Sequence, residues 1–242
     1  MRQLANGWNV PDGDIKMTLH VESDHSVDNP GYEHRHRDTI LSYIPKKETF
    51  VDVGANLGIW SIAMSKHFKN VIAFEPSPRN RECLELNLNG RGEIRPYAVG
   101  SENGKAQFYD AIKNCGDCKI ITPTIGSKKN QYEVDLVKLD DQNIENCSLI
   151  KIDVQGYELP VILGAEKLIN EQQPWVIFEI NEEIDLICEL FEKINYGMIL
   201  NKSKRVFIFA PKSGPMTPTN QTAFGKWFGE GPYTRLLKQK NK

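Results

Sequence analysis

The sequence lacks long apolar segments, has few cysteines and carries almost no net charge. Its 242 residues are 40% hydrophobic and 26% charged, with a formal net charge of −2. No apolar run approaches the length of a membrane span. The first residues also lack the apolar segment that a signal peptide needs, so no membrane association is expected. The small net charge excludes a protein that binds nucleic acid by its overall electrostatics. Five cysteines, an odd number, favour reduced thiols and a cytoplasmic location.

Only one pair of cysteines has a metal-like spacing. Cys115 and Cys118 enclose Gly116 and Asp117, but a structural zinc needs four ligands and the other three cysteines form no second pair. The segment is therefore interpreted as a turn in a loop, with a zinc or redox site as the alternative.

The segment Phe50–Ile59 is typical of a strand, a tight turn and the start of a helix. Gly54 and Gly58 at the turn would let the backbone approach a ligand. Free amides at a helix start favour a carboxylate or a phosphate. The next predicted strand ends at Glu75, a position where acids bind the hydroxyl pair of a ribose. Together these features predict half of a site for an adenosine-containing cofactor.

The same turn distinguishes between cofactors. A dinucleotide requires the pattern Gly-x-Gly-x-x-Gly, whose middle glycine admits the pyrophosphate, and this chain has Asn56 in that position. The turn also lacks the Gly-Lys-Ser/Thr ending of a phosphate-binding loop. A side chain here suits a ligand with one small charged end, so S-adenosylmethionine is expected, with a nucleotide-binding relative as the alternative.

Apolar patterns predict alternating strands and helices over residues 31–212. The expected helices are 31–44, 57–68, one after Pro78, 157–170 and 183–194; the expected strands are 49–53, 70–75, 93–99, 148–154, 175–180 and a closing antiparallel pair at 197–201 and 205–210. Such alternation favours one α/β domain with a mostly parallel sheet. Residues 104–139 interrupt it as a β-rich insertion, residues 1–30 are predicted to be an irregular arm or lid, and residues 213–242 a basic tail.

Four motifs resemble the FkbM-type S-adenosylmethionine-dependent methyltransferases: FVDVGANLG, AFEP, VKLDD and IKIDVQGYELPVILGA. The resemblance covers about residues 30–210 and implies a single Rossmann-like class I methyltransferase domain that methylates hydroxyl groups. The cofactor-binding residues expected from it are Asp52, Gly54, Ala55, Asn56, Gly58, Glu75, Pro76, Ala98 and Val99. The glycine turn would hold the methionine end of the cofactor, and Glu75 would bind the ribose hydroxyls. Pro76, Ala98 and Val99 would border the adenine.

One position departs from the family pattern. The family usually has an acid where this chain has Gln155, whereas Asp153 and Glu158 keep the pattern. If the missing acid were a proton acceptor, the mechanism would change. If it only fixes the loop, Gln155 can replace it through hydrogen bonds.

Asp153 is the predicted catalytic residue, as a base or as an anchor for cofactor and acceptor. It follows the fourth strand, and ligands in open α/β sheets lie outside the carboxyl ends of the strands. The alternative is a carboxylate that caps the next helix. Asp153, Glu179 and Asn181 could together hold Mg²⁺, although a site without metal is favoured. Four histidines are further candidates for the base: His20, His25, His34 and His36.

The favoured function is methylation of a hydroxyl on a sugar, polysaccharide or secondary metabolite, so the expected partner is a small-molecule or glycan acceptor. Two alternatives remain open. A nucleic-acid methyltransferase would use the basic tail, but the Asp-Pro-Pro-Tyr-like motif of amino-methylating enzymes is absent from the sequence. A cofactor-binding protein without turnover is suggested by Gln155 alone.

Overall fold

A seven-stranded sheet forms the centre of the computed structural model, which describes residues 1–23, 26–31, 33–121, 129–179, 184–200 and 206–212. The strands are β1 (Arg2–Gln3), β2 (Asn9–Val10), β3 (Thr49–Val53), β4 (Asn70–Phe74), β5 (Glu93–Arg95), β6 (Ala98–Val99), β7 (Gly104–Tyr109), β8 (Lys119–Ile120), β9 (Gln131–Val137), β10 (Cys147–Ile152), β11 (Trp175–Glu179), β12 (Tyr196–Leu200) and β13 (Val206–Pro211). The helices are α1 (Lys16–Glu22), α2 (His34–Tyr43), α3 (Ile59–Met64), α4 (Pro78–Leu88), α5 (Glu158–Leu163), α6 (Glu166–Gln172) and α7 (Ile184–Lys193). Within these described ranges, no helix combines the length and the apolar character that crossing a membrane requires.

The central sheet has the strand order β5-β4-β3-β10-β11-β13-β12. Its first five strands are parallel, while β13 pairs antiparallel with both β11 and β12. The chain runs outward from β3 to β5 and then returns to place β10 beside β3, so the strand order reverses between these two strands. Crevices at such a reversal are where open α/β sheets bind ligands. This arrangement confirms the predicted Rossmann-like fold with an antiparallel closing strand.

Helices cover both faces of the sheet because its central strands are apolar on both sides. Every residue of β3 is buried, and alternate side chains of a strand point to opposite faces. On one face Val53, Ile152 and Phe178 pack with α5, α6 and α7. On the other face Phe50 packs with α2 and α3. The strands are thereby held between two layers, and the polar side chains of the site lie at their carboxyl ends.

Two predicted elements are split in the structure. The predicted strand 93–99 is divided into β5, in the central sheet, and β6, which pairs with β9 in a second sheet of order β6-β9-β7-β8. Pro96 lies between them and has no amide hydrogen to donate to a ladder. The predicted helix 157–170 is interrupted at Gly164, between α5 and α6. The described part of the insertion at 104–139 contains β7, β8 and β9 and so has the expected β character.

The N-terminal segment 1–30 is more regular than its composition predicted. It contains β1, β2 and α1, and Trp8 is fully buried. The side chain of Asn87 on α4 accepts from the Asn9 amide at 2.8 Å and donates to the Asn9 carbonyl at 3.0 Å. These hydrogen bonds fasten the segment to the domain, and its role as a lid stays a prediction. The predicted basic tail lies outside the described residues.

We expect Gly164→Ala to destabilise the fold. A Cβ at this position would lie 1.9 Å from the carbonyl oxygen of Gly100, so the backbone must move to relieve the overlap. Overpacking of this kind costs about 1–3 kcal/mol. Gly104→Ala is the matched control, because no atom lies within 4 Å of a Cβ added there. Denaturant unfolding measures both variants, and equal midpoints would contradict the close packing at Gly164.

Candidate active site

A cavity of about 330 Å³ lies at the carboxyl ends of β3, β4 and β10, beside the reversal of strand order. Most residues predicted for the site line it: Gly54, Ala55, Asn56, Glu75, Pro76, Ala98, Val99, Asp153 and Glu179. Two further predicted residues, Asp52 and Gly58, are buried and are not among the residues that line it. Asn181, the third ligand considered for Mg²⁺, falls outside the residues that the structure describes.

The turn after β3 is tied to the neighbouring strand through its amides. The amides of Gly54 and Ala55 both donate to the Phe74 carbonyl at 3.0 Å. The amide of Asn56 donates to Glu75 Oε2 at 2.8 Å. These three amides are therefore already hydrogen-bonded within the protein, and the role of the three residues in holding the methionine end of a cofactor stays a prediction. They line the cavity with their other atoms.

The two glycines of the turn serve packing. Gly54 has a φ of +79°, and a Cβ there would lie 2.0 Å from the Asp153 carbonyl oxygen, so a glycine is required where β3 and β10 approach each other. Gly58 precedes α3 with a φ of +92°, and its Cβ would lie 2.6 Å from Leu84 Cδ1. Gly58 thus sets the start of α3 instead of touching the cavity.

Glu75 bridges two turns. Its Oε2 accepts from the Asn56 amide and its Oε1 accepts from the Ser77 amide at 2.9 Å. Burial raises the pKa of Glu75 to about 7, although both amides and Arg81 favour the charged form. Near neutral pH the carboxyl group therefore exists in both protonation states. Hydroxyl groups that donate additional hydrogen bonds to this carboxyl group would favour its ionised form.

A buried lysine lies at the centre of the sheet beside the cavity. Lys151 on β10 is the register partner of Asp52 on β3, and its Nζ lies 3.4 Å from Asp52 Oδ1 and 3.5 Å from Asp153 Oδ2. Burial lowers the pKa of Lys151, but the two carboxylates raise it above its ordinary value, so the ammonium stays charged. Asp52 is fully buried and also accepts from the Ser61 hydroxyl at 2.7 Å. Asp52 does not line the cavity itself but contacts Lys151, which does, and its predicted part in cofactor binding stays a prediction.

Asp153 lines the cavity and is held from two sides. Gln155 Nε2 donates to its Oδ1 at 2.7 Å, and the Lys151 ammonium lies near its Oδ2. The Asp153 side chain keeps 30% of its surface exposed, so an acceptor can reach it. The alternative that Asp153 caps the next helix is wrong, because α5 begins after Tyr157 without any side-chain cap.

The turn after Asp153 is fixed by Glu158. The Glu158 carboxylate accepts from the Gly156 amide at 3.0 Å, and burial raises its pKa. Gln155 and Gly156 have φ values of +56° and +100°. This left-handed turn allows the side chain of Gln155 to reach Asp153.

The helix α1 and the cysteine turn form one side of the cavity. Asp14 joins them, because its Oδ1 accepts from the Met17 amide at 2.8 Å and its Oδ2 from the Cys115 amide at 2.6 Å. Cys115 Sγ in turn donates to Asn56 Oδ1 at 3.1 Å. This contact was not predictable from the sequence, since no local pattern connects an N-terminal aspartate to a cysteine 101 residues away.

The thiols of the cysteine turn stay protonated. Burial raises the pKa of Cys115 well above its ordinary value and that of Cys118 to about 12. All five cysteines are free. Among the described residues, no group of three His, Cys, Asp or Glu side chains could hold a metal ion. Residues Cys115–Asp117 form a 3-10 turn, in agreement with the loop interpretation.

Asp110 connects the insertion to the turn after Glu75. Its Oδ2 accepts from the hydroxyls of Ser77 at 3.2 Å and Tyr132 at 3.1 Å. Its Oδ1 accepts from Arg79 Nη2 at 2.9 Å. The insertion, which supplies part of the cavity wall, is thereby fixed relative to Glu75.

The histidines considered as bases differ in position. His20 on α1 lines the cavity. His36 on α2 lines a small crevice beside Asp153, whereas the ring of His34 hydrogen-bonds the Gly31 carbonyl. His25 is not among the described residues.

Glu33 and Lys151 were not predicted as site residues. Trp60 Nε1 donates to Glu33 Oε2 at 2.6 Å, and both residues line the cavity. No pattern in the sequence marks Glu33. Lys151 could have been identified, because a lysine within the apolar run 147–152 needs a buried partner.

Comparison with known proteins supplies the family of the domain. The profile of the methyltransferase FkbM domain matches residues 52–205. The AMB antimetabolite synthetase AmbE of Pseudomonas aeruginosa is 24% identical over 225 residues, which cover 75% of this chain and 10% of that protein. The methyltransferase sdnD of Sordaria araneosa is 23% identical over 171 residues, which cover 52% of this chain and 64% of that protein.

Among solved structures, a methyltransferase FkbM from Methylobacillus flagellatus is similar, with a TM-score of 0.49 and 18% identity. The match covers 68% of this chain and 43% of that chain. The chain thus spans less than two thirds of the length of each of these three relatives.

We expect Lys151→Met to destabilise the protein by about 3–5 kcal/mol, because it leaves the buried Asp52 carboxylate without its cation. Methionine preserves the apolar stem, so the loss of charge dominates the effect. Lys105→Met is the matched control, since Lys105 is also a strand lysine paired with an aspartate, Asp135, but is exposed. Chemical denaturation compares the two. Equal stability of both variants would mean that the buried pair contributes no more than a surface pair.

Proposed function

The chain belongs to the FkbM methyltransferase family, and we propose that it is an S-adenosylmethionine-dependent O-methyltransferase. Its proposed acceptor is a hydroxyl of a sugar, a polysaccharide or a secondary metabolite. The observation that supports the proposal is that Glu75 and Asp153, two carboxylates in different environments, line the same cavity. Glu75 is buried beside the end of β4, and Asp153 is partly exposed beside the end of β10.

The residues around Glu75 fit an adenosine group. Its carboxylate can accept from ribose hydroxyls, and the cavity volume lies within the usual range of small-ligand pockets. The neighbouring apolar wall consists of Pro76, Ala98, Val99 and Phe108. The Asn56 side chain, bonded to Cys115, occupies the position where a dinucleotide needs a glycine. These features favour S-adenosylmethionine over NAD.

Asp153 suits the acceptor side of the reaction. When bound, the cofactor supplies a methyl group on a positively charged sulfur. The chain would align the acceptor hydroxyl and take its proton as the new O–C bond forms, while the S–C bond breaks and leaves the sulfur as a neutral thioether. Asp153 is open to the cavity and is oriented by Gln155 and Lys151. Alignment lowers the barrier, and a general base contributes about 10²–10⁴-fold.

A small-molecule acceptor has support from one relative. AmbE is an antimetabolite synthetase, which favours a secondary metabolite as the acceptor here. A nucleic-acid acceptor would depend on the basic residues of 213–242, which lie outside the described residues. The free cysteines support a reducing compartment, and we propose the cytoplasm.

We expect the affinity for S-adenosylhomocysteine, the demethylated cofactor, to rise with pH through about 7. Ribose hydroxyls bind the ionised form of Glu75, so affinity should fall by up to about tenfold per pH unit below the pKa of the empty site. Glu75→Gln keeps the shape and removes the charge, so binding should weaken and lose this pH dependence. Calorimetry across this pH range measures both effects.

Glu82→Gln is the control for this experiment, because Glu82 is exposed on α4. A Glu75→Gln protein with unchanged affinity would remove Glu75 from the ribose site. Tight binding of NAD, without binding of S-adenosylhomocysteine, would overturn the assignment of the cofactor.

We expect Asp153→Asn to lower kcat by about 10²-fold or more while cofactor affinity is retained, because asparagine keeps the size but cannot take a proton. Labelled S-adenosylmethionine incubated with pooled sugars, glycans and nucleic acids identifies the acceptor and measures turnover. Asp38→Asn, an exposed substitution on α2, is the control. Full activity of Asp153→Asn would make Asp153 structural. Methylation of nucleic acid alone would overturn the proposed acceptor class.

A further inference from the structure

We propose that Gln155 is a positioning residue that holds the Asp153 carboxylate oriented toward the acceptor hydroxyl. The inference rests on the proposed function, since it concerns the carboxylate that would receive the proton. Gln155 follows Asp153 by two residues, and its amide Nε2 donates to Asp153 Oδ1 at 2.7 Å. This is the shortest contact that the structure gives the Asp153 side chain.

The two oxygens of Asp153 have different donors. Oδ1 receives the neutral amide of Gln155, while Oδ2 lies 3.5 Å from the Lys151 ammonium. Donors at both oxygens oppose rotation of the carboxylate plane. Because an ionised carboxylate has about four acceptor positions, two remain for an acceptor hydroxyl. Gln155 and Lys151 therefore hold Asp153 without occupying all of its acceptor capacity.

The backbone presents Gln155 in a conformation that needs support. A φ of +56° is uncommon for a residue with a Cβ and persists where the surroundings stabilise it. The Gln155–Asp153 hydrogen bond supports the turn on one side, and the bond from the Gly156 amide to Glu158 supports it on the other. The side chain of Gln155 is thus part of a fixed turn and not a freely rotating surface group.

The charges around Asp153 explain why a neutral donor is useful here. The titratable groups that face Asp153 from the packed elements are Asp52 on β3, Lys151 on β10, Glu179 on β11, Glu33 and His36 at α2, and Glu158 on α5. Acids outnumber bases in this set, and Lys151 is its one cation in contact with Asp153. The amide of Gln155 donates to the Asp153 carboxylate without adding a charge to this set. A carboxylate at position 155 would add another negative charge instead.

The test follows the protonation of Asp153 directly and needs no acceptor. In the full chain labelled with ¹³C at aspartate carboxyl groups, the Asp153 signal is assigned by its loss in Asp153→Asn and is followed against pH by NMR. Gln155→Met keeps the length and removes the donor, so the midpoint should move up by about one pH unit. Gln155→Ala is the second variant and should move the midpoint in the same direction.

Gln173→Met is the matched control, because Gln173 also has a positive φ, +52°, and ends α6 away from the cavity. It should leave the Asp153 midpoint unchanged. An unchanged midpoint in a folded Gln155→Met or Gln155→Ala protein would overturn the positioning role. An equal shift in Gln173→Met would overturn it as well, because the effect would then not be specific to the contact with Asp153.

Activity separates this inference from the proposed function. With the acceptor found by labelled cofactor, the acidic limb of the kcat profile should move in Gln155→Met by the same amount as the NMR midpoint. A limb that stays in place would overturn the link between Gln155 and the reaction. A wild-type protein that methylates no hydroxyl would overturn the proposed function, and an NMR shift seen in the same protein would still support the contact between Gln155 and Asp153.

Discussion

The buried ammonium of Lys151 is the interaction on which the arrangement of the site depends. Lys151 lies on β10 beside β3, so Asp52 on β3 faces it across the ladder. Asp153, two residues after Lys151, contacts the same ammonium. A buried charge without a partner is strongly destabilising, which makes the relative position of these two strand ends a condition of folding. The contact with Lys151 consequently ties the orientation of the Asp153 carboxylate to the core of the sheet. Rotation of the carboxylate is further restricted by Gln155 in the loop that follows.

Close backbone contacts give the same region its shape. At Gly54 and at Gly164 a Cβ would lie within 2.0 Å of a carbonyl oxygen of another segment. Both glycines belong to the motif segments of the sequence, and both are required there for close backbone packing. The proposed chemistry lies in Glu75 and Asp153, whose carboxylates have different burial and different donors. The motifs therefore combine two kinds of requirement, close packing and acid–base chemistry, within a few residues of each other.

Local patterns predicted the parts of this structure that depend on local order. The strands before Asp153 and Glu75 are apolar runs followed by acids, so the position of these acids at the carboxyl ends of parallel strands followed from the alternation with helices. The hydrogen bonds of the Gly54 turn were not predictable, because they depend on which strand becomes its neighbour. The contact between Asp14 and Cys115 spans 101 residues and has no local signature. Contacts between side chains of distant segments could therefore not be predicted from the sequence.

Glu75 makes the stability of the folded chain depend on what fills the cavity. Its pKa in the empty fold, about 7, lies above the ordinary 4.5, so stability that is fully present below pH 4.5 is lost as the pH rises through about 7. A ligand whose hydroxyls favour the ionised carboxylate restores stability, by an amount that grows with the ligand concentration. A cell short of methyl donor would then hold less folded protein, open to faster degradation. The abundance of the enzyme would follow the supply of its own cofactor.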